Sequence, residues 1–262
     1  MKIAIIGAGN IGGAMARGLL AGAVVSPSEL TLTAARRSSL EKYEPLGCRL
    51  TLDNVAAARD AVLVVLALKT EKVLDIAIQL RETLDYDRQV VVSMAAGVED
   101  ESMLDALRKS DGTEAQFAVV IPNIAMEICR SMTFINPVRL SESSLALVRG
   151  VFSRLGSVEM ADHRLLPAGI ALASCGIAYA LRYARAASEG GVVLGFEADE
   201  ALRIVRQTVV GAMGLLEAHG SHPEAEIDKV TTPGGITIKG LTAMEKAGFS
   251  TAVIEGLKAA RK

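Results

Sequence analysis

A glycine-rich turn near the start of the chain has the residue spacing of a phosphate-binding loop. It follows the apolar run Ile3–Ile6 and reads Gly7-Ala8-Gly9-Asn10-Ile11-Gly12. Gly7 permits a tight turn, Gly9 lets the backbone approach a pyrophosphate, and Gly12 lets the next helix pack close to the strand. The first N–H groups of that helix attract phosphate. Such glycines also occur in ordinary turns, but the apolar strand before them and the helical pattern after them favour a dinucleotide site.

The end of the second predicted strand distinguishes two dinucleotides. Proteins that bind NAD usually place an acidic residue there, on the ribose 2′-hydroxyl. This chain instead reads Thr33-Ala34-Ala35-Arg36-Arg37-Ser38-Ser39. Guanidinium groups bind phosphate through paired, charge-assisted hydrogen bonds, so Arg36 and Arg37 favour the 2′-phosphate of NADPH. The alternative is a solvated helix start whose arginines bind no ligand.

A second candidate site lies where a Pro-Gly-Gly turn separates two helical patterns. It reads Thr231-Thr232-Pro233-Gly234-Gly235-Ile236-Thr237. A helix that begins near Ile236 exposes N–H groups at its positive end, which suits a small carboxylate, and Thr232 and Thr237 add hydroxyls. From composition alone, an ordinary interhelical turn with a threonine cap is the better explanation.

Two patterns of secondary structure position these groups. Up to residue 160, apolar runs alternate with helical patterns, as in a parallel sheet that is covered on both faces. The predicted strands are Ile3–Ile6, Leu30–Thr33, Ala61–Leu66, Val90–Ser93, Phe117–Ile121 and Met132–Ile135, and Pro122 and Pro137 each end a strand. The later residues predict helices at about 162–189, 198–219, 223–230, 235–247 and 249–261. We therefore predict an α/β protein with an N-terminal Rossmann dinucleotide-binding domain, residues 1–160, and an all-helical domain, residues 161–262.

Composition narrows the classes of function. The chain has 28 basic and 30 acidic residues and a net charge of −2, which argues against a nucleic-acid partner. Cys48, Cys129 and Cys175 have neither metal-ligand nor disulfide spacing, so we expect no metal site and a cytoplasmic location. The most apolar stretch, Leu165–Leu181, is interrupted by Pro167 and by glycines. We predict that it forms a buried helix rather than a membrane span.

These motifs, in order along nearly the whole chain, resemble those of the pyrroline-5-carboxylate reductase family. The Pro-Gly-Gly segment, with Gly240-Leu241 and Met244-Glu245 after it, is similar to the family's C-terminal signature and is the most specific match. The other matching segments are Ile5–Gly12, Leu66–Lys69, Val91–Val98, Ile121–Asn123, and Gln207-Thr208 with Gly211-Ala212.

The resemblance implies reduction of the C=N bond of 1-pyrroline-5-carboxylate to L-proline, with NADPH as the cofactor and NADH as an alternative. It puts the pyrophosphate at Gly7, Gly9, Asn10, Ile11 and Gly12, and the adenosine ribose at Ala34, Arg36 and Arg37. It further places Asn54, Leu68 and Lys69 along the cofactor, and Ala95, Ala96 and Gly97 beside the nicotinamide.

The resemblance also implies a substrate site and an assembly. The substrate carboxylate is expected at Gly234, Gly235, Ile236 and Thr237, with Thr237 near the ring nitrogen and Thr232 as a second catalytic threonine. A protonated imine is already electrophilic, so the site mainly has to orient two reactants. That fits a chain whose histidines, His163, His219 and His222, form no convincing triad. The family's helical domains form homodimers, often within larger rings, so we expect a site shared between subunits, and no membrane partner.

Several positions on the substrate side depart from the family's pattern. Ile124-Ala125 stands where the family commonly has Thr-Pro, and Ile128–Arg130 replaces a glycine-rich continuation. Ala173–Ala178 replaces a Ser-Gly-Ser-Gly-Pro-Ala element, and Lys69-Thr70 replaces Lys-Pro. Two alternatives therefore remain beside proline synthesis. One is a related reductase with a different imine or keto acid as substrate, and the other is a non-catalytic dimer that binds NADPH.

Overall fold

The α/β class predicted from the sequence is confirmed by the computed structural model, which describes residues 1–260. Arg261, the last residue of the predicted helix 249–261, lies outside the described residues. The strands are β1 Ile3–Ile6, β2 Leu30–Thr33, β3 Arg49–Thr51, β4 Leu63–Leu66, β5 Val90–Ser93, β6 Gln116–Ile121, β7 Ser131–Arg139 and β8 Gly156–Met160. The α-helices are α1 Asn10–Ala21, α2 Asn54–Ala58, α3 Thr70–Leu80, α4 Asp100–Leu107, α5 Glu142–Ser153, α6 Leu166–Gly169, α7 Cys175–Val193, α8 Ala198–His219, α9 Pro223–Lys229, α10 Ile236–Lys246 and α11 Phe249–Ala260.

All strands belong to one sheet in the order β3-β2-β1-β4-β5-β6-β7-β8. The first six follow the strand order of a dinucleotide-binding fold, and their neighbouring pairs are parallel. The order reverses between β1 and β4, and ligands of such sheets bind in the crevice beyond the carboxyl ends at this point. β1 and β4 are buried along their whole length, because they are apolar throughout and lie at the centre of the sheet.

Two edge strands and one strand direction differ from the sequence prediction. β3 and β8 were not predicted, because their short, half-exposed segments carry polar residues. β7 runs antiparallel to β6 within the otherwise parallel sheet. The prediction that Pro137 ends a strand is wrong, since Pro137 lies within β7. It stands where the pairing with β6 shifts, between the pairs Val119–Asn136 and Phe117–Arg139, and such an irregularity tolerates a residue without an N–H group.

Two compact units make up the chain, Met1–Ser174 and Cys175–Lys262. The division falls after Ser174, whereas the sequence predicts a boundary at residue 160. The first unit extends further because Ala161 and Leu166 are buried in the same apolar cluster as the residues on one face of the sheet.

The helical residues Leu166–Val193 are long and apolar enough to cross a membrane, judged by length and composition alone. Our prediction that Leu165–Leu181 is buried is wrong for the single chain, because Leu172 and Leu181 are each 65% exposed. Contiguous exposed apolar side chains mark a surface that binds another molecule.

Two of the three histidines stabilise a corner of the second unit, between α8 and α9. The His222 side chain caps α9 by accepting a hydrogen bond from the N–H of Glu224 (3.2 Å). His219 Nδ1 lies 3.0 Å from the Glu226 carboxylate. Hydrogen bonds from Lys229, Ser221 and His219 lower the pKa of Glu226 to about 2. These contacts explain both histidines without a catalytic role.

Candidate cofactor and substrate sites

The glycine loop, residues 7–12, has a different steric requirement at each glycine. Gly7 has a φ of +116°, and a Cβ atom there would lie 2.4 Å from the carbonyl oxygen of Ala67. A Cβ atom on Gly12 would lie 1.9 Å from the carbonyl oxygen of Gly7. A Cβ atom on Gly9 would meet no heavy atom within 4 Å. Gly7 and Gly12 are therefore required by the fold, whereas Gly9 borders open space.

Helix α1 begins directly after Gly9, and no side chain caps its N-terminus. The first N–H groups of a helix have no partner within the helix, and they carry a partial positive charge. The open space at Gly9 therefore lies at a helix end that is suited to a phosphate group. This combination fits the pyrophosphate of a dinucleotide.

Hydrogen bonds join the glycine loop to the loops that follow β2 and β3. The N–H of Gly7 donates to the carbonyl oxygen of Thr33 (3.2 Å), and the hydroxyl of Thr33 donates to Oδ1 of Asn54 (2.7 Å). The Asn54 amide in turn donates to Gln79 Oε1 (3.3 Å). The structure thus links Asn54 to the loop through Thr33, although Asn54 lies 42 positions after Gly12 in the sequence.

The two arginines after β2 have different surroundings. Both are exposed. Arg37 forms an ion pair with Glu44, with 3.1 Å between its Nη2 and the carboxylate oxygen. Among the described residues, Arg36 has no ion-pair partner. Arg36 is therefore the arginine whose guanidinium group is available for a phosphate.

This difference predicts unequal effects of the two arginines on cofactor choice. We expect Arg36→Ala to weaken NADPH binding about 10- to 100-fold, because a hydrogen-bonded charge contact contributes ~1.5–3 kcal/mol. NADH binding should stay the same, since NADH has no 2′-phosphate. Arg37→Ala is the matched control and should have a smaller effect. Titration of each variant with both nucleotides tests this, and equal losses for NADPH and NADH in Arg36→Ala would contradict it.

The loops after β4 and β5 meet at the same edge of the sheet. The hydroxyl of Thr70, the first residue of α3, donates to the carbonyl oxygen of Ala96 (2.9 Å). Lys69 and Ala96 are exposed, while Leu68 is half-buried beside Gly7. Ala95 is buried and Gly97 has a φ of +84°. The threonine that replaces the family's proline therefore ties together two loops that the resemblance places along the cofactor.

Two contacts of α1 were not predicted from the sequence. Arg17 forms a bidentate ion pair with Glu127 (2.7 and 3.0 Å), and its hydrogen bond lowers the pKa of that carboxyl group. The Tyr43 ring lies 5.7 Å from the Arg17 guanidinium carbon and its hydroxyl contacts the glycine loop. The sequence feature that corresponds to the Tyr43 contact is a further glycine, Gly13, directly after the loop, because a side chain there would collide with the phenol. No pattern in the sequence indicates the pair with Glu127, which lies in the segment that departs from the family.

Asn123 connects the end of β6 to another segment that departs from the family. Its amide donates to the carbonyl oxygen of Ala173 (3.3 Å), and its Oδ1 accepts from the N–H of Ala125 (3.1 Å). The hydroxyl of Ser174 donates to the carbonyl oxygen of Pro122 (3.4 Å). Pro122 and Asn123, which match the family, therefore hold Ala173 and Ser174, which depart from it. The contacts use the Pro122 carbonyl and the Asn123 side-chain amide.

The predicted substrate residues lie in the second unit, in the turn between α9 and α10. Gly234 has a φ of +72°, and the N–H of Gly235 donates to the carbonyl oxygen of Thr232 (2.9 Å). A Cβ atom on Gly235 would lie 2.4 Å from the Thr232 hydroxyl oxygen. Helix α10 begins after Gly235 without a side-chain cap, and Thr237 in its first turn is half-buried. The turn thus presents free N–H groups at a helix end, with threonine side chains nearby.

Comparison with known proteins decides the family. Residues 163–262 match the family model for pyrroline-5-carboxylate reductase dimerisation, and residues 2–97 match that for NADP oxidoreductase, coenzyme F420-dependent. The chain is 32% identical to pyrroline-5-carboxylate reductase 2 of Dictyostelium discoideum, over 98% of this chain and 89% of that protein. The chain belongs to the pyrroline-5-carboxylate reductase family.

Two further comparisons concern a longer relative and a solved structure. Pyrroline-5-carboxylate reductase 1 of D. discoideum is 34% identical over 97% of this chain, but the chain spans only 48% of that longer relative. The crystal structure of Plasmodium falciparum pyrroline carboxylate reductase, which has NADP bound, superposes with a TM-score of 0.86. It covers 99% of this chain and 95% of its own at 19% identity, so this likeness concerns the fold.

Proposed function

We propose that this protein reduces 1-pyrroline-5-carboxylate to L-proline with NADPH as hydride donor. The observation that carries the proposal is the glycine loop, whose only unobstructed glycine, Gly9, stands at the uncapped N-terminus of α1. Family membership supports the choice of reaction, because relatives that match over nearly the whole chain are named for this activity. The NADP oxidoreductase model over residues 2–97 supports the choice of cofactor.

The first unit supplies the residues that we propose hold the cofactor. The loop N–H groups bind the pyrophosphate, and Arg36 binds the 2′-phosphate. The residues proposed along the rest of the cofactor are Ile11, Ala34, Arg37, Asn54, Leu68, Lys69, Ala95, Ala96 and Gly97. When bound, NADPH supplies the hydride.

The second unit supplies the residues that we propose hold the substrate. The free N–H groups of Ile236 and Thr237, which follow the Gly234-Gly235 turn, bind the substrate carboxylate at the positive end of α10. The Thr237 hydroxyl orients the ring nitrogen, and Thr232 supports the turn through its contact with Gly235. A protonated imine needs no further activation, so these groups contribute by positioning it.

We further propose that the protein works as a homodimer in which a second copy covers the apolar surface of the second unit. A cavity of about 530 Å³ lies among α7, α10 and α11, and its lining includes Tyr179, Tyr183, Met244, Phe249 and Val253. The match to a dimerisation family supports a second copy as the occupant. Sedimentation should give twice the 27.5 kDa mass of one chain, and a monomer at micromolar concentration would contradict the dimer.

The activity is tested by following NADPH absorbance after addition of 1-pyrroline-5-carboxylate. We expect oxidation that requires the imine and forms proline in equal amounts. NADPH binding without oxidation, for this imine and for a panel of other imines and keto acids, would contradict an enzymatic role. Oxidation with another member of the panel alone would contradict the substrate but not the reaction class.

A further inference from the structure

Tyr43 is a buried side chain to which the proposed reaction assigns no role. It lies in the 3-10 segment Glu41–Leu46, and only 1% of its surface is exposed. Its hydroxyl oxygen is 3.1 Å from the carbonyl oxygen of Gly9 and 3.3 Å from that of Ala8. The phenol therefore donates its single proton to the glycine loop, between two successive carbonyl groups.

A contact with these carbonyls fixes the direction of the N–H groups of the loop. A trans peptide is planar, so its C=O and N–H bonds point in opposite directions. The carbonyl of Ala8 shares a peptide with the N–H of Gly9, and the carbonyl of Gly9 shares one with the N–H of Asn10. Because the phenol binds both carbonyls, these two N–H groups are directed away from it. The carbonyl of Gly9 also accepts the N–H of Gly13 within α1 (2.9 Å), whereas for the carbonyl of Ala8 the phenol is the hydrogen-bond donor.

Gly13 provides the space for this contact. A Cβ atom on Gly13 would lie 2.0 Å from the Tyr43 hydroxyl oxygen. Glycine is less favourable than alanine inside a helix, and Gly13 is an interior residue of α1. The phenol therefore gives a physical reason for glycine at this position. Two cations also hold the ring, since Arg17 and Lys42 lie 5.7 and 5.0 Å from its centroid.

We infer that Tyr43 is a positioning residue for the cofactor pyrophosphate, which it serves by holding the glycine loop in its binding conformation. The inference rests on the proposed function, because it requires that the loop binds a dinucleotide. It assigns to Tyr43 a contribution to pyrophosphate binding and none to the adenosine 2′-phosphate or to the imine.

Tyr43→Phe in the full-length chain removes the hydroxyl and keeps the buried ring. We expect the Kd of NADPH to rise about 3- to 10-fold, as for the loss of a neutral hydrogen bond. The kcat at saturating NADPH and the KM of the imine should remain within about twofold, since Tyr43 contacts neither reacting group. The inhibition constant of adenosine 2′-monophosphate, which lacks a pyrophosphate, should not change.

Tyr86→Phe is the matched control. Tyr86 is also buried, and its hydroxyl donates to the backbone carbonyl of Leu107 (2.5 Å), far along the chain from the loop. NADPH binding by this variant should equal that of the wild type. The inference is overturned if Tyr43→Phe binds NADPH normally, or if it weakens adenosine 2′-monophosphate by the same factor as NADPH. A wild-type protein that binds no NADPH would instead overturn the proposed function, and the inference with it.

Gly13→Ala tests the same contact by changing the residue that the phenol packs against. It keeps the inference falsifiable if Tyr43→Phe does not fold. The new methyl group would lie 2.0 Å from the phenol oxygen, so the phenol has to move, and we expect weaker NADPH binding with unchanged adenosine 2′-monophosphate binding. Gly150→Ala in α5 is the control, because a Cβ atom there meets no heavy atom within 4 Å. Equal NADPH affinities of the two alanine variants would contradict the role of Tyr43.

Discussion

Replacement of Gly9 by alanine should abolish useful NADPH binding and leave the folded protein intact. The new methyl group meets no protein atom, and the φ of −75° at Gly9 is accessible to alanine. It does occupy the space that we assign to the pyrophosphate. Loss of two hydrogen bonds to a charged group, at ~1.5–3 kcal/mol each, corresponds to a rise in Kd of about 100-fold or more. Calorimetric titration with NADPH and thermal unfolding of the same sample measure both quantities.

Gly12→Ala is the comparison that separates cofactor binding from folding. Its Cβ atom would lie 1.9 Å from the carbonyl oxygen of Gly7, so the backbone has to shift, which costs about 1–3 kcal/mol of stability or more. We therefore expect Gly12→Ala to lower the unfolding temperature and Gly9→Ala to leave it unchanged. A Gly9→Ala protein that binds NADPH as tightly as the wild type would show that the pyrophosphate does not approach this residue.

Gly235→Val should remove catalysis with little effect on NADPH affinity. A Cβ atom at this position would lie 2.4 Å from the Thr232 hydroxyl oxygen, so the turn before α10 must move. Displacement of a bound reactant by about 1 Å can cost about 100-fold in rate, and we expect kcat/KM for the imine to fall by at least that factor. Steady-state kinetics with varied imine, together with NADPH titration, test this expectation.

Gly240→Ala, in the helix α10 that follows Gly235, provides the control. A Cβ atom there meets no heavy atom within 4 Å, and alanine is about 1 kcal/mol more favourable than glycine inside a helix. This variant should retain full activity with equal or higher stability. If Gly235→Val and Gly240→Ala have the same kcat/KM, the turn is not the substrate site.

Elements with a strong apolar pattern could be predicted from the sequence, whereas elements defined by their neighbours could not. β1 and β4 are central and apolar throughout, so their pattern predicts them. β3 and β8 owe their extended conformation to pairing with β2 and β7, and their own residues are half-exposed. The exposure of Leu181 was missed because the apolar pattern of a helix does not say whether its own chain or another covers it.

The candidate site also contains residues that a local sequence pattern predicts and contacts that only the folded chain reveals. The spacing of Gly7, Gly9 and Gly12 is local, so it predicts the loop and the helix after it. The contact of Tyr43 with this loop joins residues 34 positions apart and required the folded chain. The pairing of Arg37 with Glu44 likewise distinguishes two arginines that look equivalent in the sequence.

The exposed apolar side chains of the helical unit imply that the stability of the protein depends on its concentration. If a second copy covers Leu181 and the cavity beside Tyr183, dissociation returns that surface to water, and mass action links assembly to folding. The unfolding temperature should then rise with protein concentration, and specific activity should fall on dilution. The amount of enzyme that a cell maintains would thus set both the quantity of catalyst and the stability of each molecule.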